Sequence, residues 1–241
     1  MYLRATHAEG SIEALFGFIK QNPLGVLTTA ISSPSHPLLQ ASHIPWVLDE
    51  LTTDPDAPNP QSKAIIEAAA GQCPAQLTQD VMILFTGSHH HYVTPKFYTE
   101  TKPSTGKVVP TWNYAAVQVY GKATVYVDSR AAETSSYLSQ QIHDLSQLCE
   151  TSQMGYTGQD GQPEPWKVSD APEAYINIMK KAIIGIEVTV ESIGGKFKMS
   201  QEDTKGDREG VINGFASLGT DVGTHMSSLV KQRGDIYDSS K

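Results

Sequence analysis

Cysteine, positive charge and long apolar runs are all scarce in this sequence, and each scarcity excludes something. Only Cys73 and Cys149 occur in 241 residues, with no CxxC spacing, so neither a disulfide framework nor a zinc knuckle is encoded and a reducing compartment is expected. No run approaches 18 apolar residues, and Met1 to His7 lacks the charged-then-apolar layout of a signal peptide. No membrane segment is expected, and the expected location is cytoplasmic. Lys and Arg number 18 against 26 Asp and Glu, a formal charge of -8, so nucleic acid is not an expected partner. Signatures of common hydrolases and nucleotide binders, GxSxG, HExxH, a P-loop and GxGxxG, are absent too.

What is present reads as a folded α+β chain. Ile12, Leu15, Phe16 and Ile19 recur at helical spacing after Ser11, and Asn22-Pro23 ends the pattern. Residues 24–30 and 38–48 flank Ser/Pro turn chemistry and predict a hairpin. An Asp/Pro-rich linker over 49–60 leads to a short helix over 63–71. The continuous apolar run 80–87 predicts a buried strand. Ala115, Val117, Val119, Ala123, Val125 and Val127 alternate with Tyr114, Gln118, Tyr120, Lys122, Thr124 and Tyr126, which predicts a long strand with one core face and one tyrosine-rich face. Helices are expected over 129–150, from Ser169 or Pro172 to Lys181, and over 207–218. A further strand over 184–190 stops before Gly194-Gly195. Five or six strands, several joined by short turns, with helices between them, predict a mainly antiparallel small barrel with peripheral helices.

Three groups of residues could carry chemistry. The first is His89, His90 and His91 with Tyr92; neighbours alternate in an extended segment, so at most His89 and His91 share a site. Ordinary hydrogen-bonded histidines are the plainer reading, with haem ligation or stacking on a planar cofactor next. The second is the segment 105–114, where Trp112, Asn113 and Tyr114 follow a glycine-bearing loop; it can cradle a phosphate or cover a ring, and Trp112 can equally be a core plug. The third is Gly194-Gly195-Lys196-Phe197-Lys198-Met199-Ser200-Gln201, where Lys196, Lys198 and Ser200 share a face if the segment is extended. That patch suits a phosphate or a propionate, or is simply a solvated face.

Five segments together resemble the PaiB-like family of FMN-binding negative transcriptional regulators. They are 22–30, Ser42-His43-Ile44-Pro45, 91–98, the run 109–114 with Val119-Tyr120-Gly121, and 195–201 followed by Asp207-Arg208. The resemblance runs in order over roughly residues 1–220, and it implies a flavin split barrel as a single domain followed by a tail over 221–241. It also implies a homodimer whose cofactor cleft lies near the subunit interface. With FMN, the resemblance implies that Lys196, Lys198 and Ser200 hold the phosphate while Trp112 or Tyr114 flanks the ring, with Tyr92, Asn113 and Gln201 beside them. With haem, His43 or one of His89, His90 and His91 becomes the iron ligand and the basic patch meets the propionates. Related split-barrel proteins include flavin oxidoreductases and haem-dependent piperazate synthases, which close an N–N bond in an N-hydroxylated ornithine; a ligand-sensing regulator is the remaining alternative. One departure stands out: the family's Gly-His-(aliphatic)-Ala-Arg-Ala-Asn-Pro segment is reduced here to Asn59-Pro60.

Overall fold

The computed structural model describes residues 1–49, 74–128 and 130–240. Most of the expected linker, the helix over 63–71, and Cys73 lie outside the described residues. Strand β1 (Ala8–Glu9) precedes helix α1 (Ile12–Gln21), which starts where the Ser11 hydroxyl accepts the Ala14 N–H at 3.2 Å. The helix ends at Asn22, just before Pro23. Strands β2 (Leu24–Ala30) and β3 (Leu39–Pro45) form the expected antiparallel hairpin, with Val26 opposite His43. Then come β4 (Ala75–Thr86), β5 (His91–Val93), α2 (Thr101–Thr105), β6 (Thr111–Tyr126), α3 (Ala132–Leu148), α4 (Glu173–Lys180), β7 (Gly185–Lys198), α5 (Lys205–Ala216) and α6 (Asp221–Ser239). The strand order is β1-β7-β6-β4-β2-β3, with β5 paired to β6. The pairs β1–β7, β2–β3 and β5–β6 are antiparallel. This is the α+β, mainly antiparallel class expected.

Several expectations need correction. Strand β7 does not stop before Gly194-Gly195 but continues to Lys198. Gly195 is there for space, since a Cβ on it would overlap the Leu15 side chain. Tyr126, expected on the exposed face of β6, is fully buried, while Val127 is exposed. The alternation fails at that end because Tyr126 stacks on Tyr137 of α3, with ring centroids 3.8 Å apart and planes within 8°. Residues 221–239, expected as a tail, are helix α6, started by the Thr220 hydroxyl accepting the Gly223 N–H and burying Met226 and Val230.

The described chain gathers into two compact units. The first comprises Met1–Asn22, Leu84–Gln118 and Ile193–Lys241. Its core is Val93, Ala115, Met199, Val211, Phe215, Met226 and Val230, bordered by Phe18, Phe97 and Phe197. Helix α5 lies against the segment 97–100 along a glycine stripe: a Cβ on Gly206, Gly210 or Gly214 would strike, in turn, the Glu100 carboxylate, the Phe97 carbonyl oxygen and the Phe97 ring. Arg208 ties α5 to α6 by pairing with Asp238, and also donates to the Gln201 carbonyl at 3.1 Å. The second unit comprises Pro23–Ile83 and Val119–Ser192. There the stacked tyrosines are anchored at both hydroxyls: Tyr137 donates to the Ile186 carbonyl at 3.0 Å and Tyr126 to Glu187 Oε2 at 3.1 Å.

Candidate functional site

Alternation along β6 sends Trp112 and Tyr114 to one face of the first unit and Asn113 and Ala115 into its core. Strand β7, next to β6, brings its lysines to that outer face. Lys196 Nζ lies 5.6 Å from the Tyr114 ring centroid and 5.8 Å from that of Tyr2, within range of attraction to both π faces. Lys198 Nζ donates to Thr111 Oγ1 at 2.5 Å and to the Trp112 carbonyl at 3.0 Å, so it braces the start of β6. Burial holds its pKa below the usual lysine value, against the pull of Glu202 and Asp203. Trp112 is 49 % exposed and so is no core plug. Its indole N–H donates to His90 Nδ1 at 3.3 Å, and Tyr92 meets its ring edge-on at 6.3 Å. Tyr92, Trp112, Tyr114, Lys196 and Lys198, with His90 at the edge, therefore form an aromatic and cationic surface.

Three other residues expected at a cofactor are buried and bonded to the protein itself. Asn113 and Ser200 hydrogen-bond to each other at 3.2 Å. Ser200 has φ +57°, a left-handed turn that takes its side chain off the lysine face and inward. Gln201 Oε1 accepts the Met199 N–H at 2.7 Å, and its amide donates to the carbonyls of Thr6 and Phe197. These residues shape the site from behind.

The three histidines go to three neighbours. His89 stacks on His225 at 4.1 Å, His90 meets Trp112, and His91 packs edge-on against Phe215. Burial, and then the charge of His225, lowers the pKa of His89. His91 Nδ1 lies 2.7 Å from the Tyr92 carbonyl, which can only accept, so Nδ1 carries the proton and Nε2 the lone pair. His43 is exposed on β3 and belongs to the other unit. Among the described residues, no three His, Cys, Asp or Glu side chains gather as a metal site.

Sequence reading missed a titrating cluster behind β7. Burial, then Glu202, pushes Asp203 up to about 6. Burial, then Asp203, Asp207 and Glu202, pushes the Tyr98 hydroxyl up to about 12. The buried His7 ring lies 2.7 Å from Glu202. The adjacent Glu202-Asp203 with Asp207 was the available signal.

The second unit holds a larger cavity of about 860 Å³ between β2–β3, α3 and the start of β7. Its described lining includes Asp49, Glu133, Asp144 and Glu187 and no Lys, Arg or His. A phosphate or propionate would meet only like charge among those described side chains.

Comparison with known proteins adds the following. Residues 1–192 match the family described as “Putative FMN-binding domain”. An uncharacterized protein of Aspergillus fumigatus is 57 % identical, with 99 % of each chain covered, and one of Emericella nidulans is 52 % identical at the same coverage. The Aspergillus alignment spans 261 positions, so that relative holds residues with no counterpart among the 241 here. The protease synthase and sporulation protein PAI 2 of Bacillus subtilis is 25 % identical, covering 96 % of this chain and 95 % of that one. Among solved structures, the FAD and haem binding protein from Mycobacterium smegmatis aligns with 80 % of this chain and 73 % of its own at 14 % identity and a TM-score of 0.38. Among the described residues, no helix is long and apolar enough to cross a membrane.

Proposed function

From this chain's membership of the FMN-binding family that residues 1–192 match, we propose that it binds FMN on the aromatic and cationic face of β6 and β7 and serves as a flavin-dependent oxidoreductase. The observation that carries the reading is the position of Lys196: a cation held over the Tyr114 and Tyr2 rings, on the same face as the half-exposed Trp112, in a chain of net charge -8. An ammonium beside exposed aromatic rings suits a ligand that is anionic at one end and planar at the other.

Bound FMN would supply hydride and electron transfer. The chain's residues hold and orient it. Lys196 meets the phosphate with its charge. Lys198, two of whose three N–H groups are engaged by Thr111 and Trp112, fixes the edge of β6 and offers its third. Trp112 and Tyr92 present the ring-stacking surface, and the Asn113–Ser200 bond holds the two strands in place beneath it.

Titration of the full chain with FMN, followed by quenching of flavin fluorescence, tests this reading. Saturable binding, weakened at least about tenfold in both Lys196→Ala and Trp112→Ala, is expected. Binding that neither substitution changes removes the assignment.

Haem is a second reading, favoured by the proton position on His91, since a ring whose Nδ1–H is tied to a carbonyl keeps Nε2 free for iron. Haemin added to the protein should then give a Soret spectrum that His91→Ala alters and His90→Ala does not.

A further inference from the structure

The acidic cavity of the second unit is opposite in charge to the lysine face. Three of its lining residues, one of them among its four acidic residues, carry a buried polar atom with no hydrogen-bond partner: Trp46 Nε1, Glu133 Oε1 and Gln141 Oε1. Buried polar atoms are nearly always satisfied, so three in one cavity are a set awaiting partners. Two accept and one donates. The wall also carries Tyr137, Ile183, Ile184 and Ile186, with Ser42, Ser136 and Gln140 among its polar members. Volume, about 860 Å³, is in the range of small-molecule sites.

Among the described lining residues these charges also have no Lys, Arg or His beside them. Burial, and then Asp144, raises the pKa of Asp49, as expected where carboxylates share a site without a cation. Gln140 donates to Asp144 Oδ1 at 2.7 Å, so one of the acids is already held in place. Lys180, on α4, donates to Ser135 and Ser139 and is not among the described lining residues.

We propose that this cavity is a second ligand site, for a small organic amine: a protonated amino group received by Glu133, Gln141 and Asp144, on an aromatic body packed among Trp46, Tyr137 and the isoleucines, with a hydroxyl that accepts the Trp46 N–H. The site is independent of the FMN reading, since its residues belong wholly to the other unit. It selects for positive charge as the lysine face selects for negative.

Calorimetric titration of the full chain with tyramine, and in parallel with 3-(4-hydroxyphenyl)propionate, tests the proposal, because the two probes share ring, hydroxyl and length and differ in the sign of the end group. Tyramine should bind saturably and the acid should not. Glu133→Gln and Asp144→Asn, each checked for folding by circular dichroism, should each weaken tyramine at least about tenfold. The proposal is overturned by absent tyramine binding, by equal binding of the acid, or by binding that survives both substitutions in folded protein.

Discussion

Asn113 on β6 and Ser200 just beyond β7, 87 residues apart in sequence, meet in the interior of the first unit, where the Asn113 amide donates to the Ser200 hydroxyl at 3.2 Å. Neither group reaches solvent. Asn113→Ala should remove one of the hydroxyl's two side-chain partners, Asp203 being the other, and destabilise the protein by about 1–3 kcal/mol. Urea unfolding checks this; a change within error would mean that Asp203 alone satisfies Ser200.

Two glycines on helices should respond in opposite directions. Gly17 in α1 has open space where a Cβ would go, so Gly17→Ala should stabilise by up to about 1 kcal/mol. Gly210 in α5 faces the Phe97 carbonyl oxygen, and Gly210→Ala should destabilise by about 1–3 kcal/mol. Thermal melts of the pair give the comparison.

Asp203 sets a pH dependence. Its pKa is raised from 3.8 to about 6, so the folded state holds the proton more tightly than the unfolded chain does. Its contribution is most favourable below about pH 4 and is lost as pH rises through about 6. Asp203→Asn should therefore gain stability relative to the parent as pH rises across that window. Denaturation midpoints of the two proteins that stay parallel from acid to neutral pH would contradict this.

Two of the ion pairs on helix α6 are of unequal weight. The Arg208 side chain is 10 % exposed, so Asp238→Ala strands a nearly buried cation and should cost up to about 3 kcal/mol. Lys231 and Asp235 are both about two-thirds exposed, and Asp235→Ala should cost less than about 0.5 kcal/mol.

The α+β class was legible because period-2 and period-3.6 patterns are strong over β6 and α1, and because Ser11 and Asn22-Pro23 punctuate the helix. The outward placement of Tyr114 was legible for the same reason, since alternation sets it opposite the core face of β6. Ser200 went astray because alternation holds only while the strand does, and a positive φ ends it. Helix α6 was missed because Gly223, Gly234 and several serines dilute its apolar stripe, which only packing against α5 reveals. The acidic cavity gave no local signal at all, since its carboxylates come from segments far apart in sequence.

The glycine stripe of α5 bears on the order in which the molecule assembles. A 12-residue segment with three glycines has little tendency to be helical alone. It becomes a helix only where the backbone around Phe97 and the face of α6 are already waiting for it. Its amide protons should then exchange with solvent through cooperative opening of that whole neighbourhood rather than by fraying from the ends, and α5 should be a late arrival in folding although it lies at the centre of its unit's core.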